Sequence, residues 1–156
     1  MAKETVLSDD LLQRCAARAG YDRDNKFFTE DFEELKAAGY LSGPVPTEFG
    51  GGGLSLAESC AEQRRLAYHA PATALAINMH IYWAGIAADL WRSGDKSLEW
   101  LLEESATGEV FAAGHAERGN DLPVFLSTAT AKKVDGGYRF SGHKMFSSLS
   151  PVWTRF

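Results

Sequence analysis

The most informative stretch of this 156-residue chain is Val45-Pro46-Thr47-Glu48-Phe49-Gly50-Gly51-Gly52-Gly53-Leu54-Ser55. Its proline, together with Pro44, cannot continue a helix, so the chain is predicted to be extended here. The four glycines predict a tight turn that brings the backbone close to a neighbouring element. Ser55 and Glu58 match the S-x-x-E capping box, which predicts that a new helix starts at Leu56.

Helical periodicity fills most of the sequence on both sides of this stretch. Ser8 is a good N-cap, Gly39 lies where a C-cap glycine belongs, and Pro71 is tolerated in the first turn of a helix. Gly20 and Gly94 mark further helix ends. The pattern therefore predicts helices over about residues 9–19, 29–38, 56–69, 72–91 and 97–105.

After Gly108 the hydrophobic period changes from 3.6 to 2, which is typical of strands. Asp135-Gly136-Gly137 is a strong tight-turn signal between two strands, and residues 144–148 are expected to form a third strand. The predicted fold class is α+β, with a mostly helical N-terminal bundle (residues 1–108) followed by a partial antiparallel β-domain (residues 109–156). Because so few strands make a poor independent core, the sequence is expected to be a fragment or a truncated form.

Composition and charge exclude several classes of function. The chain is 45% hydrophobic and 24% charged, and its net charge is −5 with the 16 Lys and Arg residues scattered. Neither a basic stripe nor a signal peptide is evident, so we expect no nucleic-acid or membrane partner and a cytoplasmic location. The uncharged run between Arg65 and Asp89 is interrupted by His69 and Pro71, and a buried core helix is expected there rather than a membrane span.

Few side chains suggest chemistry by themselves. Cys15 and Cys60 form no C-x-x-C pair and are expected to pack as small hydrophobes, and the four histidines lack zinc spacing, so no metal site is expected. No G-x-S-x-G elbow supports a hydrolytic triad. Residues 111–121 are more suggestive, because small strand-like residues end in a loop containing Gly119 and Asn120. By itself this pattern favours an ordinary Asn-Asp turn, and the alternative is a loop that presents N–H groups and an amide to a ring or a pyrophosphate.

Four motifs, in the correct order, resemble those of the acyl-CoA dehydrogenase family. Residues 45–55 resemble the family's V-P-E-E-Y-G-G-x-G-L-S stretch, and Phe32-x-x-Leu35-x-x-x-Gly39 is similar to its early helix. Residues 116–121, A-E-R-G-N-D, resemble its T-E-P-x-A-G-S-D loop. Residues 142–148, G-H-K-M-F-S-S, resemble its G-x-K-x-W-I-T strand. The resemblance covers nearly the whole chain from about Tyr21.

The resemblance implies an FAD-dependent oxidoreductase of fatty acid metabolism that acts on CH–CH groups of acyl-CoA thioesters and is a homo-oligomer when complete. The backbone of His115 and Ala116 would lie against the flavin, and Gly119 and Asn120 would approach its pyrophosphate or the thioester. Phe146 would lie beside the isoalloxazine ring, and Ser148 would supply a hydroxyl near its reactive nitrogen. The cofactor-binding residues implied by the resemblance are His115, Ala116, Gly119, Asn120, Phe146, Ser147 and Ser148.

The departures from the family pattern leave other functions open. Ala116 replaces a threonine that commonly bonds the flavin. The family's general base comes from a C-terminal domain with no counterpart here, so no catalytic residue is assigned and this chain alone is expected to be inactive. Helix 72–91 is expected to be a plain core helix, and the resemblance offers one wall of an acyl sleeve as the alternative. A flavin-dependent monooxygenase on the same fold and a non-catalytic helical interaction module are the other hypotheses.

Overall fold

The computed structural model describes residues 5–117 and 127–156, and within them five α-helices precede four short strands. The strands form two small antiparallel sheets, so the predicted α+β, mostly helical fold class is confirmed. The helices are α1 (Asp9–Arg18), α2 (Thr29–Ala37), α3 (Leu56–His69), α4 (Pro71–Arg92) and α5 (Glu99–Ala106).

Three helices, α1, α3 and α4, begin at their sequence signals, whereas α5 begins at Glu99, two residues after its predicted start. The Ser8 hydroxyl accepts the N–H of Leu11 at 3.2 Å, and Ser55 forms the predicted capping box with Glu58. Pro71 is the first residue of α4, where its missing N–H costs nothing. The end of the first helix was predicted less well, because α1 stops at Arg18 and a 3-10 turn follows over Ala19–Tyr21.

The glycine stretch is the tight turn that its composition predicts. The N–H of Gly53 donates to Val45 O at 2.8 Å, and the N–H of Leu54 donates to Gly43 O at 2.8 Å. A Cβ on Gly51 would lie 2.2 Å from Val45 O, so no larger side chain fits without moving the backbone. The segment folds back on itself and delivers the chain to the start of α3.

The helices enclose two hydrophobic clusters, and α4 contributes to both. The first cluster joins α1, α2, α3 and α4 around Leu66 and Ile77, and the second joins α4 and α5 around Ala84 and Leu102. None of the helices in the described ranges is long and apolar enough to cross a membrane. Eight residues of α4, between Thr73 and Ala88, are buried, as expected of a core helix.

Residues after Gly108 also enter the first cluster. Val110 and Leu149 are both buried there. The backbone near the C-terminus runs beside residues 110–112, where the N–H of Thr154 donates to Val110 O at 2.9 Å and the N–H of Ala112 donates to Arg155 O at 3.0 Å. Two separated parts of the last third of the chain are thus packed against the helices.

The strands form one hairpin and one short ladder. Strands β2 (Thr130–Val134) and β3 (Gly137–Ser141) pair across the predicted turn, and all their residues are exposed. Strands β1 (Ala116–Glu117) and β4 (Lys144–Met145) pair with each other. The third strand predicted over residues 144–148 was too long, because Phe146 has φ +56° and turns the chain out of the ladder.

The two cysteines behave differently from each other. Cys15 is fully buried, and burial raises the pKa of its thiol to about 11, which makes it an inert core residue as expected. Cys60 is exposed on α3, so the expectation that both thiols pack as small hydrophobes is wrong for this one. Both thiols are free.

Candidate functional site

The β1–β4 ladder brings two of the segments singled out from the sequence together. Ala116 lies opposite Met145, and Glu117 lies opposite Lys144. His115 and Ala116 therefore stand beside the strand that leads directly into residues 146–148. The two other residues implied by the resemblance, Gly119 and Asn120, lie outside the described residues.

Residues 146–148 form an open turn with available binding groups. Phe146 is 81% exposed, an uncommon state for so large an apolar side chain. Ser147 and Ser148 are half-buried, and the N–H of Ser148 donates to Phe146 O at 2.9 Å. Across residues 5–117 and 127–156, no bond to either serine hydroxyl is formed, so both are available to a ligand.

An indole from α4 lies near His115, the residue that precedes β1. The Trp83 and His115 rings lie 6.1 Å apart with an interplanar angle of 32°. The Trp83 Nε1–H is buried, yet no acceptor for it exists within the described part of the chain. A buried donor without a partner is uncommon in a native structure and suggests a group that accepts from it.

Glu117 is the most heavily bonded side chain at the site, and sequence reasoning did not select it. Its carboxylate is 3% exposed and accepts from Ser127 Oγ at 2.5 Å and from the N–H of Thr128 at 2.6 Å. Thr128 Oγ1 and the Lys144 ammonium also donate to it. Lys144 above all, then the two hydroxyls, hold the pKa of Glu117 far below its usual range. The signal available in the sequence was the pairing of a motif glutamate with a motif lysine.

His80 secures the chain that leads into β1. The N–H of Phe111 donates to its Nδ1 at 3.1 Å, which leaves Nε2 as the donor to Leu41 O, also at 3.1 Å. Burial lowers the pKa of this imidazole to about 4, against a small opposing effect of the bond to Leu41. The neutral ring therefore joins α4 to the loop before the glycine stretch and to the segment that leads into β1.

A groove between α3 and α4 lies on the surface of the helical bundle. It has a volume of about 300 Å³, and apolar side chains including Leu54, Ile81 and Ile86 line it. The Ser59 hydroxyl at this groove is buried and has no partner within the described ranges.

The residues present suit a flavin. An isoalloxazine ring needs an apolar face to stack on and donors for its polar edge. Phe146 offers the face, and the serine hydroxyls and the unpartnered Trp83 N–H offer donors. A metal is a different matter, since the described residues contain no group of three His, Cys, Asp or Glu side chains that could hold one.

A mostly helical bundle followed by short antiparallel strands places the chain among the α+β proteins. The family model described as "Acyl-CoA dehydrogenase, N-terminal domain" matches residues 9–101, which is more than half of the chain. The chain therefore belongs to the acyl-CoA dehydrogenase family.

The chain has relatives of more than one activity. YdbM of Bacillus subtilis is 29% identical over all of this chain and 41% of its own length. Benzylmalonyl-CoA dehydrogenase of Aromatoleum aromaticum is 29% identical over 86% of this chain and 36% of its own length. L-evernosamine nitrososynthase of a Micromonospora species is 30% identical over 90% of this chain and 34% of its own length.

A solved structure has the same fold. The X-ray structure of KijD3 in complex with dTDP superposes with a TM-score of 0.76 and 27% identity, covering 93% of this chain and 38% of that one. The chain thus spans well under half the length of each of these similar proteins.

Proposed function

We propose that this chain carries part of the flavin site of an FAD-dependent oxidoreductase that acts on CH–CH groups of acyl thioesters. The observation that carries the proposal is the β1–β4 ladder, which brings His115 and Ala116 beside the turn holding Phe146 and Ser148. Membership of the acyl-CoA dehydrogenase family supports the reaction class.

Each proposed contact has a distinct physical role. The Phe146 ring is exposed and so is accessible to the cofactor. It stacks on the cofactor without leaving a hydrogen-bonding group unpaired, because a phenyl ring has none. The hydroxyls of Ser147 and Ser148 and the Trp83 N–H donate to polar atoms at the ring edge. A bound flavin supplies the acceptor for the hydride that leaves the substrate. Donors fixed near that ring stabilise the negative charge that develops on it.

The acyl chain of the substrate is proposed to lie along α4, where the groove against α3 is lined mainly by apolar side chains. We assign the general base to no residue of this chain. Glu117 is unsuited to that role, because its two oxygens already accept from Ser127, Thr128 and Lys144. A base must reach the proton it removes, and this carboxylate is engaged elsewhere.

A flavin-dependent monooxygenase is the second candidate. The reaction class is favoured by a dibenzothiophene monooxygenase of Mycolicibacterium goodii, which is 29% identical over 77% of this chain and 28% of its own length. A different substrate is favoured by the 30% identity to a nitrososynthase and by the fold shared with KijD3, whose structure holds dTDP. In addition, Ala116 stands where the dehydrogenase motif has threonine. The substrate would then be a nucleotide-linked sugar rather than an acyl thioester.

Flavin titration tests the shared part of both proposals. We expect the chain to quench the fluorescence of added FAD on binding, and Phe146→Ala to weaken that binding. Phe140→Ala is the matched control, since Phe140 is 76% exposed in the hairpin and carries no proposed contact. Absence of FAD binding by the wild-type chain, or an equal loss in both variants, would contradict the flavin proposal.

Calorimetric titration separates the two candidates without requiring turnover. The FAD-loaded chain is titrated with butyryl-CoA and, separately, with dTDP. Binding of butyryl-CoA alone supports the acyl thioester substrate, whereas binding of dTDP alone supports the nucleotide-sugar alternative. Gly85→Trp, which fills the groove between α3 and α4, is expected to abolish butyryl-CoA binding and to leave dTDP binding unchanged.

A further inference from the structure

The ion pair between Glu117 and Lys144 lies across the ladder that supports the proposed flavin site. Glu117 is nearly fully buried, whereas Lys144 is half-buried. The two residues are direct cross-strand partners. Because each strand of this ladder has only two residues, the backbone pairing alone provides little rigidity.

The pair connects three separate segments of chain. The carboxylate of Glu117 accepts from the Thr128 N–H at 2.6 Å, and the Lys144 ammonium also donates to Ser127 Oγ at 3.0 Å. The buried carboxylate of Glu117 therefore joins three parts of the chain: β1, β4 and the segment that leads into the hairpin. Charge-assisted bonds are shorter and stronger than neutral ones, so this point is held more firmly than the rest of the ladder.

The position of the pair in sequence gives it a functional consequence. Glu117 follows Ala116 directly, and Lys144 precedes Phe146 by two residues. Any change in the separation of β1 and β4 therefore moves the two proposed flavin contacts relative to each other. A site displaced by about 1 Å can lose much of its effectiveness even when every contact residue is retained.

We propose that Glu117 and Lys144 are positioning residues that set the spacing of the flavin-contacting segments and thereby the affinity for flavin. This inference rests on the proposed function. It differs from a purely structural role, in which loss of the pair would lower stability and leave the affinity of the folded protein unchanged.

Two pairs of variants test the proposal in the full chain. Lys144→Met removes the ammonium, and Lys144→Arg retains a cation that can reach the same carboxylate. Glu117→Gln keeps the shape and the acceptor oxygen but removes the charge. Arg14→Met is the control for loss of a cation far from the ladder, because it deletes one from the more exposed carboxylate cluster of Asp10 and Glu34 in the helical half.

The readouts are the FAD dissociation constant, the visible spectrum of the bound FAD and the melting temperature of each variant. We expect Lys144→Met and Glu117→Gln to weaken FAD binding by about tenfold or more and to shift the bound spectrum. Lys144→Arg should restore both, and Arg14→Met should change only the melting temperature. Should Glu117→Gln fail to fold, the comparison of Lys144→Met with Lys144→Arg decides alone.

The failures are distinguishable. If the wild-type chain binds no FAD, the proposed function is overturned and this inference falls with it. If wild type and Lys144→Met bind FAD equally and with the same spectrum, the proposed function stands and the positioning role is overturned. An equal affinity loss in Arg14→Met would also overturn it, because the effect would then follow general destabilisation.

Discussion

Acidification from pH 7 to pH 5 should destabilise this protein through the single buried imidazole of His80. The ring is fully buried, and both nitrogens are used: Nδ1 accepts from Phe111 N–H, and Nε2 donates to Leu41 O. A proton added to Nδ1 displaces the first of these bonds and places a charge in the core. The folded state therefore resists protonation, and the unfolded chain does not.

The magnitude follows from the lowered pKa of His80. Its pKa falls from 6.5 to about 4 on folding, so the unfolded state takes up the proton first as the pH drops. Stability from this group is fully present above pH 6.5 and decreases steadily between pH 6.5 and pH 4. Linkage gives a loss of about 2 kcal/mol between pH 7 and pH 5 and about 3 kcal/mol below pH 4.

Urea unfolding followed by tryptophan fluorescence at pH 7, 6 and 5 measures this loss. His80→Gln is the matched variant, because its amide can donate and accept but does not titrate in this range. We expect it to be less stable than wild type at pH 7 and to lack the decrease contributed by His80. An identical pH dependence in wild type and His80→Gln would refute the reasoning.

Three further predictions concern the capping box, the glycine turn and the hairpin. Ser55→Ala removes the cap on Glu58 N–H (3.3 Å) and should lower the urea unfolding free energy by about 1 kcal/mol, whereas no change would show that the cap is replaced by water. In Gly51→Ala the new Cβ would lie 2.2 Å from a backbone oxygen, so the unfolding free energy should fall by about 1–3 kcal/mol. In Gly85→Ala the Cβ enters open space within a helix, so the unfolding free energy should rise by up to about 1 kcal/mol in the same assay. A change of the same sign in both variants would contradict the steric argument. Hydrogen exchange should be fast in residues 130–141, whose side chains are all exposed, and slow in residues 74–88; equal protection in a dilute sample would mean that the hairpin has a core of its own.

Local signals predicted most of the helical half correctly. The Ser8 cap, the Ser55–Glu58 box and the proline at the start of α4 depend on residues within one turn of each other, so the sequence contains the whole interaction. The hairpin turn is equally local. The groups at the site that depend on contacts distant in sequence were not predictable in this way.

Asp31, Glu117 and Phe146 illustrate the difference. Asp31 was not selected from the sequence, yet it is fully buried and accepts from Arg18 Nε at 2.7 Å. Glu117 shows its importance only once Ser127, Thr128 and Lys144 surround it. Phe146 was placed within a strand, and its positive φ follows from the turn that returns the chain to Leu149. The environment of each of these residues depends on contacts with residues that are too distant in sequence for a local pattern to include.

Val110 and Leu149 make the helical half depend on residues that follow its last helix, α5. Both side chains fill the cluster formed by α1 to α4, and they are separated from each other by the whole hairpin region. A protein cut at residue 108 would lack both side chains and would have two cavities in that cluster. Such cavities lower the free energy of unfolding. The cooperative folding unit therefore consists of the helices together with two later segments that are not adjacent in sequence. The exposed hairpin between these segments lies outside the unit. A shortened variant of this protein should therefore retain residues 110–113 and 149–155 together with the helices.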